Sequence, residues 1–345
     1  MKYEESFLGM FIWTLGAIIV GLAICYLFLP LVGVSSLDAM KIMFSGVFAE
    51  TYTIGNIFVK TAPLILTGLA FAFTFKANLY NIGAQGQFYV GCVCATAISL
   101  NLENRLPSII VILCAMLGAM GGGALLGFLI GFLKAKFKAN EFLVSMMSTY
   151  VVIYIMKLLL RTVLQESKHE YVQSDSLDSS VWLPKLFKGT SASIGIIISI
   201  VSAIVILVIL QKTTLGFRIR ATGQNVDAAR LAGINPGKEF MIAFAISGCL
   251  AGLAGFIEVN GMQHMLLADF DSNVGSYGIG IAIMANANPI GVIFSSILFG
   301  FLQVGGTVLA HSTSVPTLFV LLSFFFRKKA ALHKMKKMAL VKEAK

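Results

Sequence analysis

The chain has 345 residues, of which 57% are hydrophobic and only 12% are charged, whereas soluble domains are about one quarter charged. So apolar a chain cannot cover itself with polar surface in water, which excludes a soluble enzyme, a disordered chain and a secreted disulfide scaffold. The net charge of +10 does not indicate nucleic-acid binding, because the basic residues lie at the ends of apolar runs, where they orient membrane helices.

Apolar runs long enough to cross a bilayer recur along the chain, each needing about 20 mainly apolar residues. These runs are 8–30, 57–75, 79–100, 108–133, 141–161, 191–211, 239–260 and 290–310. A glycine-rich stretch at 276–285 ends at Asn286-Ala287-Asn288-Pro289, and a short run at 314–326 precedes the end of the chain. We therefore expect an all-α polytopic membrane bundle of eight to ten membrane elements, with a broken or re-entrant element near 276–289.

The basic residues favour one orientation of this bundle. Segments 1–7, 76–78, 134–141, 212–239 and 327–345 hold 18 of the 26 basic residues, as expected if they face the cytoplasm. The sequence thus predicts a single transmembrane domain over 1–345, surrounded by lipid, with both termini cytoplasmic. An extracytoplasmic loop at 162–190, a cytoplasmic loop at 212–238 and a basic cytoplasmic tail at 327–345 complete this topology.

Glycines spaced four residues apart recur in two of the apolar runs. The pairs are Gly118 with Gly122, Gly123 with Gly127, Gly127 with Gly131, and Gly248 with Gly252. Small residues let helix backbones approach closely in lipid, where hydrophobicity cannot drive association. The pairs indicate helix contacts within this chain or, alternatively, contacts with a second subunit or a moving helix pair.

The loop at 212–238 contains the pattern of a short capped helix. Asn225 or Asp227 can cap a helix through Ala228–Leu231, and Gly233 can end it in a left-handed conformation. This is either an ordinary helix in a loop or a small helix that docks in a cleft of another protein.

Asp227-Ala228-Ala229-Arg230-Leu231-Ala232-Gly233 resembles the EAA motif of ABC importer permeases, with Asp227 in place of the usual Glu. The fuller pattern from Gly223 to Ile234 is similar to permeases for simple sugars, nucleosides and branched-chain amino acids. The segment 80–87 looks like the NIGAEGQ signature of nucleoside and simple-sugar permeases, with Gln85 where Glu is common. Asn140-Glu141 and Asn288-Pro289-Ile290-Gly291 match further family elements in the expected order.

The resemblance implies the transmembrane permease subunit of an ATP-driven ABC importer, closest to bacterial nucleoside permeases, with a ribose- or galactose-type sugar permease as the alternative. It implies that an ABC ATPase subunit grips the loop at Asp227, Ala228, Ala229 and Gly233. It also implies a second permease subunit, expected to be a different chain, and an extracytoplasmic substrate-binding protein.

Several amide side chains lie inside the apolar regions, where polar groups are costly unless they face protein or water. Asn81 and Gln85 would share a helix face, and together with Gln87 they either line a substrate pathway or form hydrogen bonds between helices. Asn286 and Asn288 either line the pathway or bond the backbone freed by the break. Glu258, near the outer end of its run, is expected to be solvated at the membrane surface.

The sequence lacks a phosphate-binding loop of the form G-x-x-x-x-G-K-[ST]. Its one Gly-Lys pair, Gly237-Lys238, is followed by Glu239, so we expect ATP hydrolysis on a separate subunit and no catalytic residue, cofactor or metal here. No mid-span Lys or Arg and no embedded carboxylate pair is expected either, although coupled carriers often have such charges. Their absence argues against a secondary carrier without an ATPase, which is the alternative of a different class.

Overall fold

The computed structural model describes residues 35–312, except 104, 169, 187–188, 269 and 271–272. Within these residues the regular structure is helical, and extended pairing is limited to isolated bridges. The helices are α1 Ser36–Ala49, α2 Thr51–Phe75, α3 Ala84–Leu102, α4 Ser108–Phe137, α5 Glu141–Leu160, α6 Gly195–Lys212, α7 Thr214–Gln224, α8 Val226–Leu231, α9 Pro236–Glu258, α10 Val274–Met284 and α11 Pro289–Ser312. A π-helical turn, Val259–Gln263, directly follows α9.

Six of the described helices are long and apolar enough to cross a membrane: α2, α4, α5, α6, α9 with its π turn, and α11. The all-helical, membrane-spanning fold is thereby confirmed, whereas the number of eight to ten membrane elements is not. Helix α10 has 11 residues and rises about 16 Å, roughly half of the hydrocarbon thickness. The predicted runs 8–30 and 314–326 and the tail 327–345 lie outside the described residues.

The predicted break between α10 and α11 is present. Asn286 and Ala287 have left-handed backbone conformations, with φ of 49° and 52°, which cost an ordinary residue about 1–2 kcal/mol. The backbone N–H of Ala287 donates to the carbonyl of Ala282 at 2.8 Å. The side-chain oxygen of Asn288 accepts from the N–H of Ile290 at 3.0 Å. Protein groups thus satisfy the freed backbone, as an apolar environment requires.

The described chain divides into two compact units, of which the smaller comprises 35–53 and 302–312. In this unit α1 packs closely on the end of α11, since a Cβ atom at Gly305 would lie 2.6 Å from the side chain of Met43. Helix α1, with 14 residues, was not predicted because it is too short to appear as a membrane-length apolar run. The larger unit, 54–301, holds every candidate functional residue discussed below.

The glycine pairs bring α4 and α9 of the larger unit into backbone contact. A Cβ atom at Gly123 would collide with the carbonyl of Gly248, and one at Gly127 with the carbonyl of Phe244. Gly252 likewise faces the carbonyl of Ala119. These glycines therefore serve contacts within the chain, the first of the two alternatives, and they allow the close packing that lipid-embedded helices need.

The helices bring the polar connections together at two ends of the larger unit. At one end, Gly223 lies against the carbonyl of Lys76, and Arg218 pairs with Glu239. We call this the coupling end; it contains 76–77, 134–140 and 213–239. At the other, the N–H of Asp178 donates to Glu103 at 3.1 Å. We call this the loop end; it contains 103–107, 161–194 and 259–268, apart from residues 104, 169 and 187–188.

Substituting Gly123 tests this packing. Gly123→Val places two methyl groups against the backbone of α9, and such overpacking costs about 1–3 kcal/mol. Gly121→Val, on the same helix, is the matched control because nothing lies within 4 Å of its Cβ position. We expect a lower thermal unfolding temperature in detergent for the Gly123 variant alone; equal effects of the two substitutions would contradict the packing.

Candidate functional site

Helix α8 is the short helix that the loop sequence predicts, and Asn225 rather than Asp227 caps it. The side-chain oxygen of Asn225 accepts from the N–H groups of Asp227 and Ala228, both at 3.0 Å. Gly233, with φ of 81°, follows the helix in the left-handed conformation expected of a glycine at this position. The local sequence therefore determines both ends of this six-residue helix.

The exposure of side chains around α8 separates two groups of the predicted coupling residues. Asp227, Ala228 and Gly233 are exposed, whereas Ala229 is only 3% exposed and packs into the protein. Leu231, which the sequence analysis did not select, is 91% exposed. A single exposed leucine is common on protein surfaces, but here it adds an apolar group to the exposed face of the helix that resembles a docking motif.

Contacts at the coupling end connect α7, which directly precedes α8, to the bundle. Gly223, two residues before the cap, fits against the backbone of Lys76 and Ala77 at the end of α2. Arg218 on α7 pairs with the buried Glu239 in the first turn of α9 at 3.3 Å. Burial lowers the pKa of Lys76 below its ordinary value, and the nearby positive charge of Arg220 lowers it further. Helix α7 thus contacts both the residues that follow α2 and the first turn of α9, so a displacement of α8 that moves α7 would also displace them.

The amide of Asn81 joins three helices. Its Nδ2 donates to Oε1 of Gln87 on α3 at 2.8 Å and to the hydroxyl of Ser247 on α9 at 2.7 Å. The Ser247 hydroxyl in turn donates to the carbonyl of Ala70 on α2 at 2.7 Å. The expected shared helix face of Asn81 and Gln85 is wrong, because α3 begins only at Ala84 and Asn81 lies in the preceding loop.

Gln85 instead caps α10. Its Oε1 accepts from the N–H of Gly275 at 2.5 Å and from that of Ser276 at 3.3 Å, and so satisfies amides in the first turn of the half-length helix. A Cβ atom at Gly275 would collide with the backbone of Gln85, which explains the glycine. On the opposite side, the hydroxyl of Thr67 donates to the carbonyl of Val274 at 3.0 Å.

The five predicted pathway residues thus lie at three separate places in the structure. Asn81 and Gln87 are hydrogen-bonded to each other, Gln85 lies at the start of α10, and Asn286 and Asn288 lie at the break after α10. Within the part of the chain that the structure describes, three buried amide atoms of this set have no hydrogen-bond partner: Oδ1 of Asn81, Nε2 of Gln85 and Nε2 of Gln87. Interhelix bonding explains Asn81, and capping explains Asn288; the pathway role of all five stays a prediction.

A pair of opposite charges near the loop end was missed. Glu258, expected to be solvated, is only 2% exposed, so this expectation is wrong. Lys60, in the tenth position of α2, is partly buried, and its ammonium contacts Met262, next to the Gln263 that donates to Glu258. The sequence alone could not pair them, because they lie on separate helices and each appears near the edge of its apolar run.

These features define the membrane-embedded subunit of a transporter: a polytopic helical bundle, a broken helix inside it and a capped helix exposed at one end. Residues 53–326 match the family of permease components of branched-chain amino acid transport systems. The chain belongs to this family, and the resemblance to ABC importer permeases is confirmed.

Named relatives cover most of the chain. It is 32% identical to the guanosine ABC transporter permease protein NupP of Bacillus subtilis, over 87% of each chain. It is 26% identical to the nucleoside permease protein NupB of Lactococcus lactis, over 87% of this chain and 85% of the relative. It is 28% identical to the glucose permease protein TsgB13 of Haloferax volcanii, over 90% and 87%. No solved structure matches the chain.

Two substitutions at Gln85 test its capping role. Gln85→Leu removes the acceptor and leaves buried N–H groups unpaired, a loss of about 1–3 kcal/mol. Gln85→Glu keeps an acceptor at the helix N-terminus, where negative charge is favourable. We expect thermal stability in detergent to fall for the leucine variant and to be largely kept for the glutamate variant. Equal losses for both would show that the cap is unimportant.

Proposed function

We propose that this chain is the permease subunit of an ATP-driven importer that takes up nucleosides. The observation that carries the proposal is the capped helix α8, which presents Asp227, Ala228 and Leu231 at its surface. Because the sequence has no phosphate-binding loop, the motor is a separate ABC ATPase subunit that docks on this helix.

The basic residues of the coupling end support a cytoplasmic location for α8. Lys76, Lys134, Lys138, Arg218 and Arg220 all lie there, which agrees with the positive-inside rule. In this orientation both termini are cytoplasmic in a bacterial cytoplasmic membrane, and the chain has eight to ten membrane elements. The loop at 162–190 then faces the outside and receives substrate from a binding protein.

The contacts at the coupling end suggest how the motor acts on the pathway. ATP-driven closure of the ATPases moves α8, and the Arg218–Glu239 pair transmits this movement to the start of α9. Helix α9 carries Ser247, whose bond to Asn81 holds α2, α3 and α9 together. Movement of α9 would therefore break or remake this polar junction, and a second permease chain completes the path.

The choice of nucleosides rests on the relatives and on the chemistry of the amides. Two of the named relatives are nucleoside or guanosine permeases, and amides offer both donors and acceptors to hydroxyls and base edges. The glucose permease among the relatives keeps a simple sugar as the second candidate.

The docking role of α8 predicts a loss of coupling when its exposed apolar group becomes charged. Leu231→Asp should reduce ATP-dependent uptake about tenfold or more, since a charge buried at an interface without a partner costs several kcal/mol. Leu231→Met is the matched control and should retain uptake. Copurification with the ATPase should fall in parallel, while the amount of chain in the membrane stays unchanged.

Leu231 gives a cleaner test of docking than Ala229, because Ala229→Arg would place a charged side chain in a buried site and disturb the fold itself. Normal copurification and uptake with Leu231→Asp would argue against docking at this surface. Uptake that continues without any ATPase would instead favour a secondary carrier.

Competition for uptake tests the substrate class. In cells that lack the natural chain and carry this one, unlabelled guanosine and uridine should each reduce the uptake of labelled guanosine, and ribose should not. Competition by ribose, or accumulation of ribose alone, would replace the nucleoside assignment by a sugar while leaving the permease assignment intact.

A further inference from the structure

Lys60 and Glu258 place two opposite charges inside the bundle near its loop end. The Lys60 ammonium donates to the Met262 sulfur at 3.6 Å, and one Glu258 oxygen accepts from Nε2 of Gln263 at 3.4 Å. Both contacts are weak by distance or by chemistry. Embedded charges are expensive and mark functional positions in membrane proteins.

The two side chains do not close an ion pair with each other. Both contact the π turn, Lys60 at Met262 and Glu258 at the adjacent Gln263, but within the described part of the chain the direct ion pairs of 4.0 Å or less involve other residues. Lys60 therefore keeps ammonium donors, and Glu258 keeps carboxylate lone pairs, that are available to a third partner.

The Lys60 side chain reaches from α2 to a neighbouring element at the loop end. It lies nine residues after the start of α2, about 13 Å along the helix axis. Its ammonium contacts Met262, in the π turn that follows α9, and so points toward a neighbouring element of the bundle. The ammonium therefore lies at the same π turn as the Glu258 carboxylate, since Gln263, which donates to Glu258, directly follows Met262 in the chain.

We propose that Lys60 and Glu258 together bind the base of a nucleoside. The carboxylate of Glu258 accepts from N–H groups on the base edge, and the ammonium of Lys60 donates to a carbonyl oxygen beside them. A neutral ring with donors next to an acceptor satisfies both charges at once. This inference rests on the proposed nucleoside uptake and adds the residues that recognise the base.

The chemistry favours particular bases. Guanine presents two adjacent N–H donors next to a carbonyl and matches the pair best. Uracil offers one N–H between two carbonyls, so it can donate to only one oxygen of the carboxylate. A ribose has hydroxyls alone and gains less from a fixed pairing of carboxylate and ammonium.

The test is uptake of guanosine by the assembled transporter in cells lacking the natural chain, with four variants of this chain. Glu258→Gln replaces one acceptor by a donor that opposes the base N–H groups. Glu258→Asp keeps the charge but withdraws the carboxylate. The third is the reciprocal exchange, Lys60→Glu with Glu258→Lys. Glu141→Gln is the matched control, because it makes the same chemical change in the Lys134–Glu141 pair at the coupling end.

We expect the KM for guanosine to rise about tenfold or more with Glu258→Gln and Glu258→Asp, as for loss of a charge-assisted hydrogen bond. The KM for uridine should rise less, the control should match the wild-type chain, and the amounts in the membrane should be equal. With the reciprocal exchange of Lys60 and Glu258, the KM values for guanosine and for uridine should both stay above those of the wild-type chain.

Two results would overturn the inference while nucleoside uptake stands: an unchanged KM in Glu258→Asp, or full recovery by the exchange, which would mean a purely structural ion pair. Absence of guanosine uptake by the wild-type chain would instead overturn the proposed function, and the binding site with it.

Discussion

The interior of this protein depends on the contact between the side chain of Gln85 and the first amides of α10. A helix that begins inside the bundle exposes backbone N–H groups that lipid cannot satisfy. Gln85 supplies the missing acceptor, and Gly275 permits the close approach that the contact requires. Without this cap, a half-length helix would carry an unpaired polar end within an apolar surrounding.

The position of α10 therefore depends on α3, which in turn depends on α9. Gly91 on α3 lies against the backbone of Gly252, and Gly255 lies against the carbonyl of Phe88. On its other side α9 meets α4 through Gly123 and Gly248. Backbone-to-backbone contact of this kind leaves little freedom for one helix to move alone. Helices α3, α4 and α9 are thus expected to move as a block, with α10 attached to it.

Local signals explain which features could be predicted from the sequence. The cap of α8, the left-handed Gly233 and the break before Pro289 each depend on a few adjacent residues. Contacts across the chain could not be predicted in this way: Gln85 and Gly275 are 190 residues apart, and the same amide pattern is compatible with capping or with a pathway. The burial of Ala229 likewise depends on what α8 packs against, which its own sequence does not contain.

The polar sites around Ser247 and around Glu258 lie on the same face of α9, the face that meets α2. Ser247 and Glu258 are 11 residues apart, close to three helical turns, so they share one face and are separated by about 16 Å along the axis. On α2, Ala70 accepts from Ser247, and Lys60 contacts Met262 in the π turn that follows Glu258, so the two helices run in antiparallel order. Between Ser247 and Glu258 this face of α9 carries the buried small residues Ala251 and Ala254.

Small residues in such a seam leave few side chains to displace when the two helices separate. The polar groups are instead concentrated at its two levels, where a polar solute could exchange hydrogen bonds with them. Opening the seam at one level at a time would give such a solute access from alternate sides of the membrane. Because α9 is also the helix joined to α8 through α7 and Glu239, an ATPase docked at the coupling end, as proposed above, would act on this seam.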